Sequence, residues 1–445
     1  MKGTIMGVKA LKFGGSSVAD GIQLGKIRDI IEADPERRYV VVSAPGKRFD
    51  GDSKITDLLL MCKAQADSNI PIEQLFQVIE DRYNAISMQL GIDVDLESEY
   101  KEILKNLKEG CSKDYIASRG EYLSARLIAE YLGYDFVDTC GLILFDAKGR
   151  LLSEETNAAL SAELSKHDHA VLPGFYGSTA DTGDIRVFSR GGSDVSGALV
   201  ARAVEADIYE NWTDVSGLLM ADPRVVNDPL PIGYISYLEL RELSYMGASV
   251  LHEDAVFPVR QAGIPINIRN TNAPEDTGTI ITTEGTYRDD RLLSGIAGKQ
   301  PFTVISIYKN MMNKEVGFVR RTLAVLEDLG ISFDHIPTGI DSLSVVIESS
   351  ELEDNLDEVL TEFEQRLHPD EISVVSDIAM IAVVGAGLSK TIGAAAKITS
   401  ALRDAGINIR MLNQGISEIN VILGVDSPDF EPAIRAIYNA FTESN

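Results

Sequence analysis

From residue 8 to about 296, short apolar runs such as 39–42 and 170–172 alternate with stretches whose apolar positions recur at the helical period. That rhythm predicts an α/β fold with a mainly parallel sheet covered by helices on both faces. Residues 71 to 132 interrupt it. The stretches 72–90, 96–108 and 114–132 all read as helix with no strand between them, so a helical insertion is expected beside the sheet. Glycine and polar clusters at 270–278 and 295–301 mark the end of this region, which places a domain boundary at 297–301.

Beyond that boundary the chain repeats itself. Ile305, Gly317, Leu326, Asp328, Gly330, Ile331, Gly339, Ile340 and Val345 recur without a gap as Ile381, Gly393, Leu402, Asp404, Gly406, Ile407, Gly415, Ile416 and Val421. Each copy reads strand, helix, Gly-Ile turn, strand, turn, strand, helix, the pattern of a ferredoxin-like βαββαβ unit. The expected organisation is one domain over 1–298 and a tandem pair over 301–445. Its copies fall at about 302–376 and 377–445, in series or interleaved. A duplicated small domain behind a larger one suggests regulation.

The 445 residues are 44% hydrophobic and 24% charged, enough apolar material for two or three domains with their own cores. A formal charge of −27, with a pI near 4.6, repels nucleic-acid backbones and anionic membrane surfaces, so neither is expected as a partner. An anionic substrate then needs lysine and arginine concentrated at one place. Cys62, Cys111 and Cys140 are isolated and lack metal-ligand spacing, which suits free thiols in a reducing compartment and no protein-built metal site. No signal-type apolar run opens the chain, and no segment approaches the roughly twenty apolar residues of a membrane span. The cytoplasm is the expected location.

Val8-Lys9-Ala10-Leu11-Lys12-Phe13-Gly14-Gly15-Ser16-Ser17-Val18 runs an apolar strand into a lysine, two glycines and two hydroxyls. Glycines let peptide N–H groups approach an anion, and Lys12 adds a compact positive charge, so phosphoryl transfer is the leading chemistry. The lysine precedes the glycines, so this is not a Walker loop; alone, the stretch is equally a tight strand-to-helix turn. Ser189-Arg190-Gly191-Gly192-Ser193-Asp194 is expected just before a helix opening near Val195, where a guanidinium fork and free N–H groups suit a carboxylate. Asp194 could orient the lysine or a metal and Ser193 could bond substrate, or the segment is a helix cap with a surface arginine.

Glu121, in Ser118-Arg119-Gly120-Glu121-Tyr122-Leu123-Ser124, is placed at the start of a helix with Leu123, Leu127, Ile128 and Leu132 toward a core. A glutamate there ordinarily favours the helix dipole; the functional alternative is a counter-charge for a substrate ammonium. Asn211-Trp212-Thr213-Asp214-Val215-Ser216-Gly217, ending in Asp222-Pro223-Arg224, is expected to follow a strand over 206–209. It offers polar groups at a strand's C-terminal end, where open α/β sheets bind ligands, or it is an Asp-Pro turn with a solvated arginine. Val383-Val384-Gly385-Ala386-Gly387 lacks the third spaced glycine of a dinucleotide fingerprint and reads as a strand-to-helix turn.

Taken together, the Lys12 to Val18 loop, Gly120-Glu121, Arg190 to Asp194, Thr213-Asp214-Val215 and Asp222-Pro223-Arg224 resemble the aspartate kinases of the amino-acid kinase family in order and spacing. The repeat resembles their paired ACT domains, so the likeness spans essentially the whole chain. It implies an amino-acid kinase fold followed by two ACT domains. It also implies phosphorylation of the β-carboxylate of L-aspartate by Mg-ATP, the first step toward lysine, threonine and methionine.

By the same likeness Lys12 is the phosphate-binding lysine, Gly14, Gly15 and Ser16 shape the ATP loop, and Thr213, Asp214 and Arg224 contact nucleotide. Asp194 organises the reacting groups, and Thr56, Glu121, Phe175, Arg190 and Ser193 form the aspartate pocket. Residues 45–53 are longer than the usual connection before that threonine. Many members carry lysine where this chain has Ser249, which removes one expected ATP contact. The acceptor is already an anion, so no strong base is needed; His252, one of five histidines, is expected to be a packed structural imidazole.

Kinases acting on glutamate, acetylglutamate, carbamate or a nucleoside monophosphate compete with this reading, as does a sensor that has lost its kinase activity. The ACT-like copies and the Glu121/Arg190 pair favour aspartate, and intact Lys12 and Asp194 weigh against the sensor. In the first copy Met311 to Gly317 is expected to open the helix, with Ser332, Asp334 and Thr338 on the next strand. Met312, Gly317, Ser332, Asp334 and Thr338 are the residues expected to hold an amino-acid effector, lysine before threonine, because the second copy has Asn408 and Arg410 in place of Ser332 and Asp334. The alternative is a solvated Asp334 and a pair that merely dimerises. A homodimer or higher homo-oligomer is expected, since an ACT unit leaves an edge or helical face to cover.

Overall fold

The computed structural model describes residues 7–189, 191–248, 251, 253–283, 292–388, 390–415 and 419–443. They form two compact units. The first comprises Met1–Leu218, Pro231–Leu240 and Val250–Asp289, the second Leu219–Leu230, Arg241–Ser249 and Asp290–Asn445.

The first unit opens with β1 (Lys9–Phe13), α1 (Gly21–Glu32) and β2 (Arg37–Val42). Four helices follow, α2 (Ile55–Asp67), α3 (Glu73–Leu90), α4 (Glu97–Lys108) and α5 (Lys113–Leu132), the last three where the helical periodicity of 72–132 places them. Next come β3 (Asp135–Phe136), β4 (Leu144–Phe145), α6 (Ser153–Leu164), β5 (Ala170–Pro173), β6 (Tyr176–Thr179), β7 (Ile185–Val187), α7 (Gly192–Ala203) and β8 (Ile208–Thr213). The chain passes to the second unit within β9 (Leu218–Leu219), returns with β10 (Pro231–Ile232) and β11 (Tyr234–Ser236), and passes again within α8 (Tyr237–Tyr245), whose residues from Arg241 on belong to the second unit. It completes the first with α9 (Glu253–Ala262), β12 (Ile266–Asn270) and β13 (Thr279–Thr282).

Eight of these strands make one sheet in the order β11-β13-β12-β8-β1-β2-β5-β3, parallel except where β12 meets β13. The central strands are covered on both faces, which is why β1 and β2 read as nearly continuous apolar runs. Leu11, Phe13, Val40 and Val42 join Leu24 and Ile27 of α1 and Phe76, Ile79 and Tyr83 of α3 in a single core. The helical insertion is thus welded to the sheet's first βαβ unit. Ser112 caps α5 by accepting the Tyr115 N–H, and Gly133 stops it in a left-handed turn at φ 68°.

The strand expected at 206–209 runs instead from Ile208 to Thr213, so Asn211 and Trp212 lie inside it. Pairing with β1 on one side and β12 on the other keeps the chain extended there.

The second unit is built on β14 (Gly295–Tyr308), α10 (Phe318–Asp328), β15 (Ser342–Glu348), α11 (Ser349–Leu352), α12 (Leu356–Leu367) and β16 (Glu371–Val384). It continues with α13 (Ala394–Asp404), β17 (Met411–Asn413), β18 (Asn420–Asp426) and α14 (Phe430–Thr442). The five-stranded sheet has the order β15-β14-β16-β18-β17, antiparallel throughout. Strand β14 runs straight through 297–301 and serves both copies. Its second half pairs with β15 and the first half of β16, and Gly295 to Lys299 pair with Val384 to Met380. In the first copy Ile305, Val345, Phe318, Val325, Val359 and Phe363 pack as one cluster between sheet and helices.

Candidate active site

Lys12 leaves β1 on the face covered by α7 and is 8% exposed; its Nζ lies 2.6 Å from Asp194 Oδ1. Asn211, beside Lys12 in the register of β1 with β8, donates from Nδ2 to the same oxygen at 2.8 Å. The Tyr209 hydroxyl donates to the Asp194 carbonyl at 3.1 Å. Helix α7 opens at Gly192 rather than near Val195, because Gly191 takes a left-handed φ of 56° and turns the chain into it without a side-chain cap. Asp194 therefore sits in the first helical turn with its carboxylate directed to Lys12 and Asn211, not to a capping bond.

After β1 the Gly14 N–H donates to the Trp212 carbonyl at 3.1 Å and the chain tightens into a single turn over Gly15–Val18. A methyl on Gly14 would stand 3.4 Å from Lys12 Nζ, and one on Gly15 3.0 Å from the Ala44 carbonyl oxygen. Bare backbone thus lies in front of the ammonium, a hollow that phosphate oxygens fit and a side chain would fill. The two hydroxyls divide. Ser17 is buried and bonded to Thr271 Oγ1 at 2.8 Å, whereas Ser16 faces solvent.

Glu121 lies in the interior of α5, not in a first turn, so a favourable dipole does not explain it. It is 6% exposed and its Oε2 has no hydrogen-bond partner. Burial pushes its carboxyl up to about 8, against the pull of the Ala44 backbone N–H and the Arg119 guanidinium. Ala44 links this carboxyl to the phosphate-type loop, since the Ala44 carbonyl borders Gly15. Close packing brings α2 to the same place: a methyl on Gly120 would fall 2.7 Å from Ala44 Cβ and 3.4 Å from Ile55 Cγ2, beside Thr56. Phe175 holds a φ of 76°, a conformation costly for an aromatic residue, between β5 and β6. Gly174 lies against Ser193, and a methyl on Gly192 would meet the Phe175 ring at 2.6 Å, so the β5–β6 turn is seated on the start of α7.

Lys12, Gly14, Gly15, Ser16, Thr56, Glu121, Phe175, Ser193 and Asp194 are therefore drawn to the neighbouring C-terminal ends of β1, β2 and β5 and the N-terminus of α7. Thr213 closes β8 and bonds the exposed Asp214 at 3.2 Å. Arg224 belongs to the second unit, where it is exposed and its guanidinium is occupied by Asp222 of the same turn. Arg190, Ser249 and His252 lie outside the described residues. Among the described residues no group of three or more His, Cys, Asp and Glu side chains is placed to hold a metal ion.

In the second unit Met311 to Gly317 forms a single turn over Met312–Lys314 ahead of α10 rather than the helix itself, which begins at Phe318 after Gly317 at φ 82°. The Met312 side chain is buried in the first copy's core. Ser332 and Thr338 are exposed. The strand expected around them is reduced to isolated bridges at His335 and Thr338. Asp334 is not simply solvated: its Oδ1 accepts the Tyr245 hydroxyl at 2.6 Å.

Several contributors escaped the sequence. Asn211 carries the signal of a polar amide in a buried strand, legible once the strand's true bounds are known. Gly46, whose N–H donates to the Gly15 carbonyl at 2.8 Å, and Tyr83, whose hydroxyl donates to the Gly120 carbonyl at 2.7 Å, carry no local signal because their partners are remote in sequence.

Comparison with known proteins agrees with this fold. Residues 8–270 match the amino acid kinase family, and residues 381–441 match an ACT domain. Aspartokinase 3 of Bacillus subtilis is 36% identical over 449 residues, covering 98% of each chain. Chloroplastic aspartokinase 1 of Arabidopsis thaliana is 30% identical, covering 98% of this chain and 80% of its own length. The crystal structure of Clostridium acetobutylicum aspartate kinase, described as an allosteric enzyme, superposes with a TM-score of 0.91 at 48% identity over 98% of this chain and 100% of its own. E. coli aspartokinase III, solved with lysine and aspartate, shares the fold at a TM-score of 0.73 and 24% identity over 98% of this chain and 99% of its own. A kinase by family and by fold, with an amino acid kinase domain and a C-terminal ACT domain, this chain belongs to the aspartokinases.

Proposed function

We propose that the protein phosphorylates the β-carboxylate of L-aspartate with Mg-ATP to give 4-phospho-L-aspartate, the entry to lysine, threonine and methionine synthesis. The observation that carries this is the buried Glu121 carboxyl with an unpartnered oxygen, one peptide away from the glycine loop in front of Lys12. A carboxyl so placed calls for a cation, and an amino-acid ammonium is the cation a substrate can bring. Acetylglutamate, carbamate and nucleoside monophosphates bring none. Among amino acids, the kinship with aspartokinases selects aspartate.

In this reading Glu121 takes the ammonium and Arg190 the α-carboxylate, with Thr56, Phe175 and Ser193 closing the pocket. Gly14, Gly15 and Ser16 present N–H and hydroxyl donors to the ATP phosphates, and the family resemblance assigns Thr213, Asp214 and Arg224 to the nucleotide as well. Mg²⁺, brought with ATP as part of the substrate, would offset the charge on the phosphates. A β-carboxylate oxygen forms its bond to the γ-phosphorus as the bond to the β,γ-bridging oxygen breaks, and ADP leaves; no proton need move. Positioning and charge neutralisation do the catalysis, with the Lys12 ammonium aimed by Asp194 and Asn211.

The ACT pair would inhibit the kinase when an end-product amino acid binds at Met312, Gly317, Ser332, Asp334 and Thr338. We also place the enzyme in the cytoplasm, where its three free cysteines stay reduced, as a homodimer or higher homo-oligomer whose mass solution scattering at micromolar concentration would read; a monomer rejects that assembly. A coupled ADP-release assay over a panel of amino acids tests the catalytic reading. Aspartate-dependent ADP formation is expected, and its absence in folded protein rejects the assignment.

A further inference from the structure

The loop between β2 and α2 is held from below by a buried cation of the helical insertion. Arg82 of α3, 5% exposed, donates from Nη2 to both Asp52 carboxylate oxygens at 2.9 and 2.8 Å and from Nη1 to the Gly46 carbonyl at 3.3 Å. Arg48 grips the same carboxylate from the solvent side, through Nε at 2.9 Å and Nη2 at 3.1 Å. Bonding to Arg48, aided by the charge of Arg82, holds the Asp52 carboxyl well below the usual range.

Gly46 in turn lies flat on the glycine loop. Besides its bond to the Gly15 carbonyl, a methyl at Gly46 would fall 2.8 Å from the Gly15 carbonyl carbon and 3.1 Å from the Ser16 nitrogen. The preceding Pro45 carbonyl accepts the Ile55 N–H at 3.2 Å, at the first residue of α2. Tyr83, next to Arg82, bonds the carbonyl of Gly120 before Glu121. Adjacent residues of α3 thus support the two halves of the site separately, Arg82 the loop beneath Gly15 and Tyr83 the helix that bears Glu121.

We infer that Arg82 is a positioning residue for ATP: by clamping Asp52 and the Gly46 carbonyl it presses Gly46 against Gly15 and fixes the N–H groups that meet the nucleotide phosphates. This rests on the assignment of Gly14 to Ser16 to those phosphates. Arg82 can be replaced without stranding a charge, because Arg48 still holds Asp52, so Arg82→Met is expected to fold.

The test measures ADP affinity by calorimetry, both KM values and the melting temperature in the full chain. Arg82→Met is expected to weaken ADP binding and raise the ATP KM by roughly tenfold or more while the aspartate KM moves far less. Arg82→Lys, which keeps the charge but not the fork that spans Asp52 and Gly46, should restore most of the melting temperature and little of the ATP affinity. Tyr83→Phe should do the converse of Arg82→Met, raising the aspartate KM. Should Arg82→Met not fold, Asp52→Asn loosens the same clamp and should give the same ATP-selective loss. Unchanged ADP affinity in a folded variant, or equal loss for both substrates in proportion to lost stability, overturns the inference. Because ADP binding is read without turnover, a wild type that binds ADP yet ignores aspartate refutes the proposed substrate and leaves this test intact.

Discussion

Lys12 and Asn211 stand side by side on neighbouring parallel strands, and both donate to the same oxygen of Asp194. The ammonium is thereby held in a fixed direction before any ligand arrives, and its other hydrogens are left for a phosphate. Lys12→Met should lower kcat/KM by about 3–4 kcal/mol of transition-state stabilisation, the scale of a lost oxyanion donor, with circular dichroism unchanged. Near-normal turnover would remove Lys12 from the mechanism. Asn211→Leu, which leaves Asp194 its lysine, should cost less.

If Glu121 holds the substrate ammonium, aspartate binding must depend on pH. Its carboxyl is raised from 4.5 to about 8, so the ligand-free protein keeps a proton that the unfolded chain has lost. Stability from this group is full below about 4.5 and declines as pH rises toward about 8, a slope that Glu121→Gln should flatten in thermal melts. An ammonium favours the ionised form, so aspartate binding at neutral pH should release close to one proton, seen as a dependence of the calorimetric heat on buffer ionisation enthalpy. The aspartate KM should fall with pH until about 8 and then level. Glu121→Ala and Arg190→Ala should each raise the aspartate KM far more than the ATP KM; equal effects would reject both roles.

The contact of Gly192 with Phe175 predicts a sharp glycine requirement. Gly192→Ala puts a carbon where the ring stands, and either Phe175 gives up its strained φ or α7 shifts with Ser193 and Asp194. The expected outcome is a raised aspartate KM with a modest loss of melting temperature. An alanine variant with wild-type kinetics would show that the turn relaxes freely.

Feedback should begin at Asp334. An effector ammonium competes there with the Tyr245 hydroxyl, and inhibition requires that it favour a less active arrangement. Lysine first, and threonine second, is expected to bind at micromolar to millimolar concentration and lower activity. Asp334→Asn should weaken both effects, and Tyr245→Phe should change the effector concentration for half inhibition. Calorimetry with no heat from lysine, threonine or methionine at millimolar concentration would defeat regulation while leaving the kinase untouched.

The sequence made the parallel sheet, the helical insertion and the repeat legible because each is written in a periodicity that burial enforces. The 72–132 helices were readable because amphipathic stripes such as Phe76, Ile79 and Tyr83 face one core. Lys12, Gly14 and Asp194 stood out as a lysine, a glycine pair and a helix-start carboxylate in two glycine-rich turns, and the structure brings those two turns together. Pairing across distance was not legible. Nothing near Arg82 announces Asp52, and nothing near Asp334 announces Tyr245. Element edges slipped for the same reason: Asn211 and Trp212 look like loop until flanking strands claim their peptides, and the segment around Ser332 looks like a strand although the sheet pairs it only at His335 and Thr338.

Strand β14 has a consequence for how this protein can be recombined. Its first half completes the sheet of the second ACT copy and its second half completes that of the first, in one unbroken stretch from Gly295 to Tyr308. The copies are therefore not cassettes. A crossover placed between them, in nature or in a chimera library, leaves the second copy without a strand encoded upstream of the first, and the exposed edge of β16 becomes a template for misassembly. A chimera that keeps both sheets whole must exchange the pair together, with the breakpoint ahead of Gly295.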